Sequence, residues 1–505
     1  MSGYDTNVNI GMILEMAASA GDRPAVVAGG QSVSAAGLLE LATAAAERFS
    51  QYPAVLYLGT SHLAYPVALF GAAAAGVPFI PLNYRLGDEQ LSGLLDRSPG
   101  ALVLRQQDLD ALADGVTTAT PLGSVVPGTP TAQSLALAGT EDDPVAVVLY
   151  TSGTTSAPKA ALLRHRHLLA YVWNTVEFGS ADASDAALVG VPPYHVAGLA
   201  NVLTNLYAGR RLVYLAAFDP NAWLATVRSE QVSHALLVPT MLARVVAELN
   251  ASGTADAAVP TLRSLAYGGA RMPRPVLEEA LRLFPTAGFV NAYGLTETAS
   301  SIAVLGPDDH RAAIASEDPA VRERLGSVGR AVPGVEFEVR DPGGQVLAAD
   351  EAGLIFVRGE QISGEYGGHS ALDADGWFPT RDRGRIDADG YVFIEGRDDD
   401  TIIRGGENIA PAEIEDVLLA YPGISEAAVM GVPDPEWGQR LVAVVVWAPS
   451  AQAADPEQVR QFVRSRLRSS KTPESIVSRS ELPKTDTGKL LRRVLQAELA
   501  QSAPA

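Results

Sequence analysis

The string YTSGTTSAPKA at residues 150–160 sets four hydroxyl side chains, Thr151, Ser152, Thr154 and Thr155, around Gly153 and closes on Lys159. Backbone N–H groups, O–H donors and one cation are what polyphosphate oxygens require. The string is not a Walker loop, because no Gly-Lys-Ser/Thr follows at the right offset. A polar surface turn is the bland alternative. Lysine usage narrows the choice: of 38 basic residues only Lys159, Lys471, Lys484 and Lys489 are Lys. A compact ammonium differs from a planar guanidinium in how it meets an anion. Lys159 ends the hydroxyl-rich string, and Lys484 and Lys489 share a second one, PKTDTGKLLR at 483–492.

These loops need elements to hold them. Between Val145 and Gly294 short β-branched runs (VAVVLY at 145–150, LVYL at 212–215, HALLVP at 234–239) alternate with helical periods such as Thr240–Leu249, which predicts parallel α/β layers. From Gly326 to Gly396 short apolar runs are broken by Gly, Asp and Pro, which predicts antiparallel hairpins of a small β lobe. After Gly396, Pro411 suits a first helical turn with Glu413 and Glu415 near the positive end of the helix dipole. The strands AAVMGV and LVAVVVW and a basic helical region complete a compact C-terminal unit. The fold class expected is α/β: a large N-terminal domain, 1–397, of layered sheets with a β lobe at about 326–395, and a small mobile α+β domain, 398–505. The Ala-rich stretch Gly71–Gly76 predicts close helix packing.

At 505 residues the chain is about three times the usual domain size, so several cores are expected. Hydrophobic residues at 47% against 19% charged exclude a disordered chain. The net charge of −20 argues against nucleic acid and anionic membranes as partners unless basic residues are gathered. With no Cys, disulfide frameworks, thiolate metal sites and Cys nucleophiles are excluded. The N-terminus lacks a secretory pattern, and the longest apolar run, Val67–Leu82, is interrupted by Gly71, Gly76, Pro78 and Pro81 and falls short of the about 20 residues a bilayer takes. A soluble, cytoplasmic protein without an integral membrane segment is expected.

The loop at 150–160 is followed, in order, by YGGA at 267–270, NAYGLTE at 291–297, GWFPTRDRGRIDADGY at 376–391, GRDDDTII at 396–403, RGGENIAPAEIE at 404–415 and PKTDTGKLLR. Together they resemble the acyl-adenylate-forming enzymes, a superfamily of acyl-CoA synthetases, peptide-synthetase adenylation domains and luciferases, with acyl-CoA synthetases nearest. The resemblance implies substrates ATP, CoA and a small carboxylic acid, with Mg²⁺. It implies that Thr151, Ser152, Gly153, Thr154, Thr155 and Lys159 hold the β- and γ-phosphates, that Thr296 contacts the α-phosphate, and that Glu297 binds the metal. Gly268, Gly269, Ala270, Asn291, Ala292, Tyr293 and Gly294 would frame adenine, with Tyr293 against the ring. Asp382 would accept the ribose hydroxyls, assisted by Arg397, and Lys489 would bridge the acid and the α-phosphate. Asp399 would be the hinge, and Gly405, Gly406 and Glu407 would line the CoA channel. Tyr194, His195 and Tyr267 fall at the acyl pocket, His195 being either a gate or a packed imidazole.

Three positions depart from the commonest pattern. Ser156 and Ala160 replace glycines in the phosphate loop, and Arg381 replaces the glycine before Asp382. Arg381 either adds a phosphate contact or points to solvent. The segment Arg460–Arg493 carries ten basic and three acidic residues, either a rim that attracts nucleotide phosphates or a solvated face. Trp377 is expected to pack; Trp437 lies near the thiol substrate or covers the small domain's core. YHVAGLA lacks the Asp that pairs an α-amine in peptide-synthetase domains. A dicarboxylate would need a pocket cation, for which Arg244 and Arg271 are candidates against a plain surface location. A medium-chain or aromatic monocarboxylate is therefore expected. Loading of a carrier protein, a weakly active nucleotide-binding relative and a homodimer stay open.

Overall fold

The computed structural model describes residues 9–114, 124–126, 143–151, 158–253, 257–367, 369–404, 407–434, 437–448, 451–485, 488 and 490–501. Two large sheets form the body. In the nine-stranded sheet, Arg211–Tyr214, Ala186–Val189, His234–Leu237, Ser264–Gly268 and Gly288–Leu295 are parallel neighbours, and Ser300–Leu305 turns back antiparallel on the last of them. The eight-stranded sheet contains Lys159–Arg164, Val145–Thr151, Phe79–Pro81, Val55–Leu58 and Leu102–Arg105 in that order. Helices Ala35–Phe49, Ala64–Ala74 and Val196–Ala208 contribute to the largest core cluster, together with Tyr57, Phe70 and Phe79.

The parallel layers are as expected, with one correction at Val145–Thr151. That strand lies in the other sheet from those after residue 186, parallel to Phe79–Pro81 and antiparallel to Lys159–Arg164. Chain length explains it: only residues 152–158 separate the two strands, whereas a parallel crossover takes a dozen or more residues. The hydroxyl-rich string thus joins two antiparallel strands. The apolar run near residue 70 divides into the helix Ala64–Ala74 and the strand Phe79–Pro81. A Cβ on Gly71 would sit 3.1 Å from that of Ala45, so the small residues do serve close helix packing. Among the described residues no helix is long and apolar enough to cross a membrane.

The antiparallel lobe is a four-stranded sheet of Val335–Arg340, Gly353–Gly359, Phe378–Ile386 and Val392–Arg397. Trp377 packs there, between the guanidiniums of Arg340 and Arg358 at 5.2 and 4.6 Å. The helix Pro411–Leu419 starts with its proline in the first turn, and Ile424–Asp434, Gly438–Trp447 and Ser475–Arg479 form the C-terminal three-stranded sheet. Its basic segment is not one helix. It runs through Pro456–Arg464, the strand Ser475–Arg479 and into Arg492–Gln501, and its cations are largely paired: Arg460 with Glu457, Arg468 with Glu407, Lys471 with Glu413, Arg479 with Glu498, Lys484 with Glu426, Arg492 with Glu415. Among the described residues six of the ten basic side chains thus have a carboxylate partner. Trp437 is 46% exposed under Arg404, and therefore does not cover the small core.

Candidate active site

The C-terminal ends of the parallel strands converge on one edge. Gly268 ends its strand where a Cβ would meet the Ala292 carbonyl at 2.2 Å, so this glycine is dictated by the neighbouring strand before any ligand is considered. Gly269 follows at φ +80°, a conformation that costs glycine little, and it and Ala270 are exposed. Asn291 spends its amide on the Ser327 carbonyl at 3.1 Å. Gly294 lies so near the chain's return that a Cβ would be 1.9 Å from the Ser300 carbonyl. The return is the short 3₁₀ turn Thr296–Thr298, followed by Ala299 and Ser300 at φ +54° and +126°. Strained non-glycine backbone of this kind persists only where its surroundings over-determine it. Thr298 accepts from Leu295 N–H at 3.0 Å, and the Glu297 carbonyl accepts from Ser363 N–H at 2.8 Å.

Tyr293 and Asp382 meet above this edge. Asp382 is 4% exposed; it accepts the Tyr293 hydroxyl on Oδ2 and an Arg397 N–H on Oδ1 at 3.0 Å. Strand pairing sets this up, because Asp382 and Arg397 are direct partners across adjacent strands. Burial acts to pull the Arg397 pKa down, but Asp382 foremost, with Tyr293 and Glu297, outweighs it and the net shift is upward. Tyr293 is held well above the ordinary phenol range by burial first and the Asp382 charge second, so it stays a donor. Each carboxylate oxygen retains a second acceptor direction, which is what neighbouring hydroxyls of a sugar would use. Arg381 is exposed at φ +63°. That conformation explains why glycine suits the position, and although Arg381 is exposed its charge acts on Tyr366.

Thr151 and Lys159 face each other across the hairpin, the Thr151 hydroxyl 3.4 Å from the Lys159 carbonyl. Ser152, Gly153, Thr154, Thr155 and Ser156 lie outside the described residues, as do Gly405, Gly406 and Lys489. Glu407 pairs with Arg468. The flanks of Lys489 are informative. Lys484 and Leu490 bridge antiparallel, and Gly488 sits at φ +78° with no room for a side chain: a Cβ would be 2.1 Å from Thr240 Oγ1. Thr240 lies in the first turn of the helix Pro239–Ala251, at the same edge as Gly268. Gly488, the residue before Lys489, therefore packs on the large domain at the edge where the strand of Gly268 ends.

Tyr194 and His195 precede the helix Val196–Ala208, their rings 4.7 Å apart, with Tyr84 5.7 Å from Tyr194. Tyr267 requires a correction. Its ring is 1% exposed in the core and its hydroxyl bonds to His310 Nε2 at 2.8 Å, so it does not line an acyl pocket. Alternation along the strand turns Ala266 the other way, where it is in register with Leu236 and Val290, all three half-buried. That apolar stripe could have been read from period-2 alternation. Arg244 is exposed over Phe218 at 5.2 Å, and Arg271 pairs with Asp416 of the C-terminal unit, so neither is a buried pocket cation. No cluster of three or more His, Asp or Glu gathers among the described residues. A single half-buried carboxylate, Glu297, fits a hydrated Mg²⁺ that takes its remaining ligands from phosphate and water.

Residues 14–366 match the AMP-binding enzyme family, and residues 413–489 match the AMP-binding enzyme C-terminal domain. The chain belongs to this family and, within it, to the acyl- and aryl-CoA ligases. It is 36% identical over 452 residues to a feruloyl-CoA synthase of Amycolatopsis sp., with 87% of each chain covered. It is 33% identical over 460 residues, 88% of this chain and 86% of the other, to the fatty acid–[acyl-carrier-protein] ligase ScoC of Streptomyces coeruleorubidus. Among solved structures, ATP-bound MatB from Rhodopseudomonas palustris superposes with a TM-score of 0.83 at 26% identity, covering 98% of this chain and 100% of that one.

Proposed function

We propose that the protein joins an apolar or aromatic monocarboxylate to the thiol of CoA in two steps at this edge. In the first, a carboxylate oxygen attacks the α-phosphorus of ATP, forming an acyl-adenylate as the bond to pyrophosphate breaks. In the second, the thiol attacks the activated carbonyl, forming a thioester and releasing AMP. The observation that carries this is the contact of Gly488, the residue before Lys489, with Thr240, at the edge where the strands bearing Gly268 and Tyr293 end. An ammonium there offsets charge as two anions approach. Asp382 and Arg397 hold the ribose, Tyr293 lies against adenine, and Lys159, Thr151 and the loop between them hold the outer phosphates. Thr296 contacts the α-phosphate, and Glu297 would hold the Mg²⁺ that would neutralise phosphate charge.

The thiol step needs the Lys loop withdrawn, and we propose a domain boundary between residues 397 and 398 with the hinge at Asp399. Arg383 lies 3.7 Å from Asp398 on the lobe side, and Arg492 lies 3.3 Å from Asp400 on the C-terminal side. Asp399 is exposed and stands between two tethered neighbours. Rotation there would bring Gly405, Gly406 and Glu407 to the site, a hinge motion of the kind that gates turnover.

The half-buried stripe of Leu236, Ala266 and Val290, and the surface positions of Arg244 and Arg271, support a medium-chain or aromatic acid. The feruloyl-CoA synthase relative points the same way, while the carrier-protein ligase relative keeps a carrier thiol as the second acceptor. Incubating an acid panel with ATP and either CoA or a holo-carrier tests both points. Thioester and AMP formation from hydroxycinnamates or C6–C12 acids with CoA is expected. Turnover confined to amino acids or dicarboxylates would refute the acid class, and turnover only with the carrier would refute the acceptor.

A further inference from the structure

Tyr366 belongs to none of the strings that mark the site, yet it joins two of them. The segment 361–366 is bound to the Glu297 turn at several points: Gln361 Nε2 donates to the carbonyls of Thr298 and Ser301 at 2.9 and 3.0 Å, and Ser363 N–H donates to the Glu297 carbonyl. On its other side the segment is stitched to the exit strand of the phosphate loop. Ser363 Oγ donates to the Leu162 carbonyl, Tyr366 pairs with Ala161, and Glu365 pairs with Arg164 at 2.8 Å. Tyr366 stands in the gap these ties create. Its hydroxyl donates to Glu297 Oε1, and the Lys159 ammonium lies 5.6 Å from its ring centroid.

We propose that Tyr366 is a positioning residue that presents the metal-binding carboxylate and the phosphate-binding ammonium to one nucleotide. The hydroxyl fixes Oε1 of Glu297, which turns the other oxygen, making no hydrogen bond among the described residues, toward a hydrated divalent cation. The ring face holds Lys159 by cation–π attraction without neutralising it, so the ammonium keeps its charge for phosphate. An acidic partner in place of the ring would pair Lys159 and remove that charge from the site.

This inference rests on the proposed role of Glu297, and the test separates the two. Mn²⁺ serves as the probe, its free concentration read by electron paramagnetic resonance with the full-length protein and ATP but no acid. Hydrogen-bond partners of metal ligands typically contribute 10- to 100-fold in metal affinity, so Tyr366→Phe should bind Mn²⁺ about tenfold more weakly while metal-free ATP affinity is unchanged. Tyr366→Leu, which also removes the ring, should lose metal-free ATP affinity several-fold in addition. Thermal melting of each variant reports its fold, and Phe keeps the ring volume. Mn²⁺ affinity within twofold of native in Tyr366→Phe, alongside a loss of more than tenfold in Glu297→Gln, would reduce Tyr366 to packing. Native Mn²⁺ affinity in Glu297→Gln would overturn the role of Glu297 and the positioning role with it.

Discussion

Adding one methyl group at Gly488 should separate the two half-reactions. In Gly488→Ala the new Cβ would sit 2.1 Å from Thr240 Oγ1, 2.6 Å from Cγ2 and 2.8 Å from Cβ, on backbone at φ +78°. A left-handed conformation costs a non-glycine residue about 1–2 kcal/mol, and overpacking typically costs about 1–3 kcal/mol. The seated state of the Lys489 loop therefore weakens by about 2–5 kcal/mol, roughly 30- to 5000-fold. Acid-dependent exchange of labelled pyrophosphate into ATP reads the first half-reaction, and thioester formation from preformed acyl-adenylate reads the second. Exchange should fall by that factor while the second half-reaction stays within a few-fold of native. Pairing the variant with Thr240→Gly removes all three contacts but leaves the backbone term, so exchange should recover in part. Native exchange in Gly488→Ala, or equal loss in both half-reactions, would refute the seating of this loop as the adenylating arrangement.

Arg381→Gly relieves a left-handed arginine with an exposed side chain, and should raise unfolding free energy by about 1 kcal/mol in denaturant titration; an unchanged midpoint would contradict this. Asp382→Ala leaves Arg397, 34% exposed, without its carboxylate; a stability loss on the order of 2–3 kcal/mol and at least about 100-fold weaker exchange are expected, and native exchange would remove Asp382 from the ribose site. Burial lowers His165 to about 4 and His167 to about 3 from an ordinary 6.5. The unfolded chain then takes up protons below pH 6.5 that the folded chain refuses. Stability is full above that pH and falls as pH drops toward 4, by about 1.4 kcal/mol per unit for each histidine. Calorimetric melting should show the fall between pH 6.5 and 5, and a flat profile would refute it.

The candidate site was legible in the sequence where chemistry forces residue types into short strings. The hydroxyl-rich loop, NAYGLTE and the Lys484–Arg492 loop each carry donors, a carboxylate or an ammonium within a few residues, and the alternating strand and helix periods place their elements. What was not legible depends on contacts between distant segments. Tyr366 is ordinary in sequence, and its meaning comes from a strand that pairs it with Ala161 and a turn that brings Glu297 to it. Tyr267 looked like a polar point of a pocket, but alternation turns it into the core against His310. The basic run of the C-terminal unit counted charges without their partners, which come from residues as distant as Glu407 and Glu426. Arg381 was visible as a departure, while its positive φ, the reason glycine suits the position, required the backbone.

Attack of the acid's carboxylate on the α-phosphorus is the central step, and isotope transfer reads it directly. With an accepted acid carrying ¹⁸O in both carboxylate oxygens, one turnover with ATP and CoA should place one ¹⁸O in the phosphate of AMP and none in pyrophosphate. Unlabelled AMP, or label in pyrophosphate or inorganic phosphate, would contradict the account.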